Sequence, residues 1–185
     1  ARRSAICGPS SPPNSHADWS AAMSDGPTIE EADPPPDPTR RETYRIWGTE
    51  TVRFSDTDAI GHVNNTSFAA YLETGRTTFG RACGLPVGSQ QSGRHFVLAR
   101  VEIDYRVEVH WPAVLDLGSA VVRLGRTSIT LIQGVFVGEL CVATGREVLV
   151  MVDTATGRPA LLPEPLRARL LRDGGSLRDP HNSTS

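Results

Sequence analysis

The links between the β-type runs in the C-terminal half of this sequence are very short. LDLGSAVVRL, SITLIQGVFV and CVATGREVLVMVD are parted only by turns carrying Gly125-Arg126 and Gly138-Glu139. A parallel crossover needs a dozen or more residues, so runs joined this closely are antiparallel neighbours. Ahead of them, Val101, Ile103, Tyr105, Val107 and Val109 alternate with Arg100, Glu102, Asp104, Arg106 and Glu108 as far as Pro112. That spacing predicts a further long strand with one apolar and one charged face. A sheet of this kind needs an apolar layer to cover it.

One segment has the right pattern to be that layer. Phe68, Tyr71, Leu72, Gly75 and Phe79 fall on one face of a helix expected from about Asn65 to Cys83, with Gly84 and Pro86 ending it. A looser stretch, VGSQQSGRH, leads on to the strands. Upstream, Tyr44, Ile46, Val52 and Phe54 alternate with polar residues and predict an opening strand that ends near Asp56. PEPLRARLLR reads as a short closing helix. One strand, a long helix and four more strands make an α+β domain, one helix against a five-stranded antiparallel sheet. The folded domain is expected over residues 41–172.

The flanks are of another composition. Eight of the 14 prolines lie in the first forty residues, with almost no apolar periodicity beside them. Such a segment buries too little to offset its ordering entropy, so residues 1–40 read as a disordered arm. Met23 opens MSDGPTIEE, a second start that would make the residues before it an upstream extension. Residues 173–185 read as a second loose tail.

Composition excludes several function classes. A net charge of −2 and a pI near 6.2 give no basic footprint for nucleic acid. No apolar run approaches the length of a membrane span. Arg2 and Arg3 precede no apolar core, so no secretory signal is read there. Cys7, Cys83 and Cys141 are odd in number and far apart, with no CxxC or Cys/His cluster. They read as free thiols in a reducing cytoplasm, and no metal site is expected.

Chemistry concentrates in FSDTDAIGHVNN, residues 54–65. An ordinary strand-to-helix turn uses one or two polar or glycine residues; this one carries two aspartates, a glycine, a histidine and two asparagines. A helix starting near Asn65 leaves its first amides without partners and adds partial positive charge, a site for a developing oxyanion. Asp58 lies just upstream, and Gly61 allows the bend that would turn it toward those amides. Each residue also has a plain reading. Asn64 or Asn65 caps the helix, Asp56 ends the strand, and His62 is either a general base or a ring bonded to backbone. DTDAIG begins like a calcium loop, but Ile60 and Ser67 occupy positions that need oxygen ligands.

SDTDAIGHVNNTSFAAYLETGR resembles the signature of hot-dog-fold acyl-CoA thioesterases of the 4-hydroxybenzoyl-CoA thioesterase type. HVNN followed by a helix ending at Arg76 is similar to their long-chain acyl-CoA branch. The likeness continues through VEIDYRVEVHWPAVLDLGSAVVRLGRTSITL and DTATGRPALLP, from about Ile46 to Arg172. It implies a hot-dog fold, a sheet wrapped around one long helix, in subunits paired as a homodimer or homotetramer with the active site at their interface. It implies an acyl-CoA substrate and no metal or redox cofactor. By the motif, Asp58 is the catalytic carboxylate, as nucleophile or as general base for water, and the Asn65 amide is the oxyanion donor. Asp56, His62 and Asn64 brace the turn. The turn after the third strand would hold CoA phosphates through Arg126 and Ser128, against a plain reading of Arg126 as a solvated charge. Two other functions compete. One is a non-catalytic acyl-CoA sensor or scaffold. The other is an enoyl-CoA hydratase, whose D-x-N-P-x-H pattern DAIGH lacks.

Overall fold

A computed structural model describes residues 36–85 and 93–173. The strands are β1 (Ile46–Thr51), β2 (Arg94–Tyr105), β3 (Val114–Leu124), β4 (Ser128–Val137) and β5 (Leu140–Asp153). The helices are α1 (Asn65–Ala82) and α2 (Glu164–Asp173), with 3-10 turns at Arg41–Thr43 and Phe54–Asp56. All strand pairs are antiparallel, in the order β1-β3-β4-β5-β2. This is the expected α+β hot-dog arrangement. The arm up to residue 35, the tail from 174, and Pro86 with most of VGSQQSGRH lie outside the described residues.

The helical spacing of α1 translates directly into burial. Phe68, Tyr71, Leu72, Gly75 and Phe79 are all buried. Phe68, Tyr71 and Leu72 pack with Leu115, Leu117, Val135 and Ala143, while Phe79 packs with Val121, Leu124, Ile129, Leu131 and Leu149. These strand residues share one face by the period-two rule, except that Leu124 reaches it through the register shift between Val121 and Arg123. Gly75 marks the closest approach, since a Cβ there would lie 2.4 Å from Gln133 Oε1 and 3.3 Å from Leu117 Cβ. A buried polar tie adds direction to this packing. Glu147 of β5 pairs with Arg76 of α1, and Gln133 Nε2 donates to both Glu147 Oε2 (2.9 Å) and the Leu72 carbonyl (3.1 Å). Burial raises the Glu147 carboxyl above its ordinary range, against the pull of Arg76.

Three expectations need correction. The opening strand stops at Thr51, not near Asp56; the chain then turns through Phe54–Asp56. The alternating run of β2 stops at Tyr105, and its residues do not divide cleanly into buried and exposed. Val101 and Tyr105 are exposed on this edge strand, which has a register shift between Leu98 and Arg100, and Val107 beyond it is exposed too. Residues 37 and 38, read above as part of the arm, are also tied to the domain. Thr43 Oγ1 donates to Asp37 O and Tyr44 OH to Pro38 O, each at 2.7 Å. Tyr44 is buried against Trp47 and Phe136 on the sheet face opposite α1.

This last difference changes what a truncation should do. Removing residues 1–35 should leave the melting temperature unchanged. Removing residues 1–40 should cost about 1–3 kcal/mol, because the buried Tyr44 hydroxyl loses its acceptor. Thermal melts of the two truncations check this; equal melting temperatures would show that residues 36–40 contribute nothing.

Candidate active site

The segment between β1 and α1 is held at both ends by backbone. Val52 N donates to Ala113 O (3.0 Å), and Val63 N to Val109 O (2.7 Å). Single bridges join Thr57 to Val63 and His62 to His110, so residues 57–63 form a small ribbon beside the 107–113 segment.

Asp56 is the anchor of that ribbon. Only 7% exposed, it accepts Arg53 N (2.9 Å), the Arg53 guanidinium (3.1 Å) and Tyr71 OH (2.9 Å) from α1. Burial pushes its carboxyl up, but the Arg53 and Tyr71 hydrogen bonds together outweigh this and hold it below the ordinary 3.8. Its carbonyl accepts Asn64 N (2.8 Å) and Ser67 Oγ (3.1 Å). Asp56 thus does more than end a strand: it latches the turn to the helix.

Asp58 has different surroundings. It is half-buried, and its Oδ1 accepts two backbone amides, Ile60 N (2.9 Å) and His62 N (3.2 Å). Its own amide donates to His62 O (2.8 Å). Oδ2 has no protein donor among the described residues. Gly61 closes the turn at φ +85°, a left-handed conformation that side chains with a Cβ rarely adopt. A tightly held carboxylate with one free oxygen results.

The start of α1 is capped as far as its second amide. Asn64 Oδ1 accepts Thr66 N (2.9 Å) and Thr66 Oγ1 (2.8 Å), and Ser67 N donates to Asn64 O (2.9 Å). Asn64 is thus the cap, and Asn65 is the first helical residue. The Asn65 amide has no protein acceptor among the described residues. Its carbonyl accepts Tyr105 OH (3.0 Å), which fixes the helix start to the edge strand.

Asp58, Asn65 and His62 line one cleft of about 380 Å³, together with Ile60, Val63, Phe68 and the 105–109 segment. Among the described residues the His62 ring bonds no backbone group. Its Nε2 lies 3.4 Å from Glu108 Oε2, and its ring meets that of His110 edge-on at 4.8 Å. His110 Nδ1 is the histidine nitrogen facing a backbone carbonyl, Gly61 O at 3.1 Å. Tyr105, Glu108 and His110 were not legible as site residues, since the contacts that place them cross forty or more residues of sequence. No signal in their own neighbourhood pointed to the cleft.

Arg126 and Ser128 are not brought to this cleft within one chain. Both flank the β3–β4 turn, with Arg126 exposed. The 11 residues of β3, at about 3.3 Å each, carry the chain roughly 35 Å away from the Asp58 end.

Comparisons with known proteins converge. Residues 52–170 match the family model described as the thioesterase-like superfamily. No match was found among curated proteins. Among solved structures, a Thermus thermophilus thioesterase complexed with coenzyme A and zinc is 34% identical, with a TM-score of 0.65 over 72% of this chain and 97% of its own. A predicted thioesterase from Bacillus stearothermophilus is 30% identical, with a TM-score of 0.64 over 69% and 95%. The PA5185 protein of Pseudomonas aeruginosa is 28% identical, with a TM-score of 0.66 over 75% and 97%.

Proposed function

The chain belongs to the thioesterase-like superfamily, and from that premise we propose that it hydrolyses an acyl-CoA thioester, fatty or aryl, to the free acid and CoA. The observation that carries this reading is the meeting of a carboxylate and an unpartnered helix-start amide, Asp58 and Asn65, in one cleft. In this reading Asp58 Oδ2 attacks the thioester carbonyl, or takes a proton from the attacking water. The Asn65 amide receives the oxyanion that develops, at a helix end whose dipole favours negative charge. His62 is a positioning residue, whose backbone amide holds Asp58 Oδ1.

So spare a site suits the leaving group. An alkyl thiol has a pKa near that of cysteine, about 8.5, and departs as thiolate without a strong general acid. One base or nucleophile is worth about 10²–10⁴-fold, and one oxyanion donor about 3 kcal/mol. Together they suffice for a thioester. The coenzyme A bound by the Thermus thermophilus relative supports a CoA ester as substrate class. Hydrolysis assays across acyl-CoAs of increasing length test the reading, which fails if none is turned over.

The separation of Arg126 from Asp58 within the chain supports an assembly in which a second copy brings the CoA-binding turn to the cleft. The unpaired edge of β2 and the exposed Phe54, Ile60, Val107 and Trp111 need cover of this kind. We therefore place the working enzyme as a homodimer or homotetramer, with cytoplasmic residence following from its free thiols. Among the described helices none is long and apolar enough to cross a membrane. If Arg126 pairs with a CoA phosphate, its exposed ion pair is worth about 0.5–1 kcal/mol. Arg126→Ala should then raise KM about twofold to fivefold with kcat unchanged. A short thioester lacking the nucleotide should show no such change; equal effects on both substrates would mark the turn as structural.

A further inference from the structure

We propose that His62, Glu108 and His110 form a binding site for a divalent transition metal of the zinc class at the rim of the cleft. The three residues each offer one ligand atom, and these atoms all lie within 4.8 Å of one another.

Backbone pairing explains why they meet. His62 and His110 are cross-strand partners in an antiparallel bridge, so their side chains start from opposite points of one ribbon. Glu108 lies two residues before His110 on the same segment, and its Oε2 reaches His62 Nε2 at 3.4 Å. Two segments joined by one bridge thus bring three ligands together.

The spacing suits a small tetrahedral ion. Ligand atoms about 2.1 Å from a tetrahedral zinc stand about 3.4 Å apart. His62 Nε2 and Glu108 Oε2 stand 3.4 Å apart. The exposed Glu108 side chain is free to close the remaining distance while His110 keeps its place. The tautomer is also prepared. With Nδ1–H of His110 donating to Gly61 O at 3.1 Å, Nε2 carries the free lone pair. Metal-bound histidines are oriented by such a bond from the other ring nitrogen.

The donor set selects the metal class. Two imidazoles and one carboxylate favour zinc, cobalt, nickel or copper over magnesium or calcium, which prefer oxygen ligands. Three protein ligands leave a fourth position, and His62 and Glu108 both line the cleft. Water or an anionic group in the cleft completes the coordination.

The inference goes beyond the hydrolase reading and is tested without substrate. Full-length protein is stripped with chelator and titrated with zinc chloride by calorimetry. One zinc per chain should bind at this site, and magnesium chloride should give no comparable binding. His110→Ala and Glu108→Gln should each weaken zinc binding at least about tenfold, while Glu102→Gln and His95→Ala leave it unchanged. The substituted residues are exposed, and Glu108→Gln keeps shape, so thermal melts should not move. Cobalt(II) in place of zinc should give the strong visible absorption of a four-coordinate ion. Absent zinc binding, equal binding of magnesium, a pale six-coordinate cobalt spectrum, or binding insensitive to both ligand variants would each overturn the proposal.

Discussion

Asp58→Asn is expected to lower kcat by about 10²–10⁴-fold while the fold and acyl-CoA binding persist. Asn keeps the side chain's shape and its carbonyl oxygen can still accept the Ile60 and His62 amides that hold Asp58 Oδ1 at 2.9 and 3.2 Å. What disappears is the second carboxylate oxygen, the one without a protein donor among the described residues. The substitution therefore separates holding from chemistry at a single position. If the protein were instead a sensor or scaffold, wild type would bind an acyl-CoA and release no free thiol, and the Asn variant would behave identically. A hydratase would consume an enoyl-CoA without releasing thiol. A thiol-release assay at saturating substrate, with binding measured in parallel on the variant, distinguishes all three outcomes. A variant that retains most of its kcat removes Asp58 from the proposed chemistry, whatever the fold.

The residues differ in how much of their role the sequence carried, and the reason is physical. The face of α1 was legible because helical periodicity converts spacing into burial: Phe68, Tyr71, Leu72, Gly75 and Phe79 all reach the core. β3, β4 and β5 were legible because short glycine turns allow few alternatives to antiparallel pairing. β2 misled because alternation signals a half-buried strand only where one face is covered, and at the sheet edge Val101 and Tyr105 remain exposed. Within the turn, Gly61 was legible from residue type, and its φ of +85° is the bend expected of it. The bracing role of Asp56 was implied by family likeness, but its partner was not legible, because Tyr71 donates from fifteen residues on into a buried position. The pairing of His62 with Glu108 and His110 lay further out of reach, since it rests on one bridge between segments distant in sequence. Arg126 was named only through family likeness, and within one chain it lies far from Asp58.

Asp56→Asn is expected to destabilise the domain by about 2–3 kcal/mol, roughly 10 °C in melting temperature. Asp56 is buried and accepts Arg53 N, the Arg53 guanidinium and Tyr71 OH. An amide in its place has one acceptor oxygen for these donors and turns its NH₂ toward at least one of them. The pH dependence gives an independent check. The folded-state carboxyl is held below its ordinary 3.8, so the contribution of Asp56 is complete above that value and is lost as pH falls through the lower folded-state pKa. The stability gap between wild type and Asp56→Asn should therefore be constant near neutrality and narrow below about pH 4, in denaturant titrations at a series of pH values. This bears on catalysis too. Asp56→Asn removes the same charge from the same turn as Asp58→Asn, so a general electrostatic effect would lower kcat equally in both. Below its melting range the Asp56 variant should keep most of its kcat, and the Asp58 variant should keep its melting temperature. A gap that stays constant into acid, or a folded Asp56 variant with kcat reduced as far as that of Asp58→Asn, would contradict the division of labour between the two aspartates.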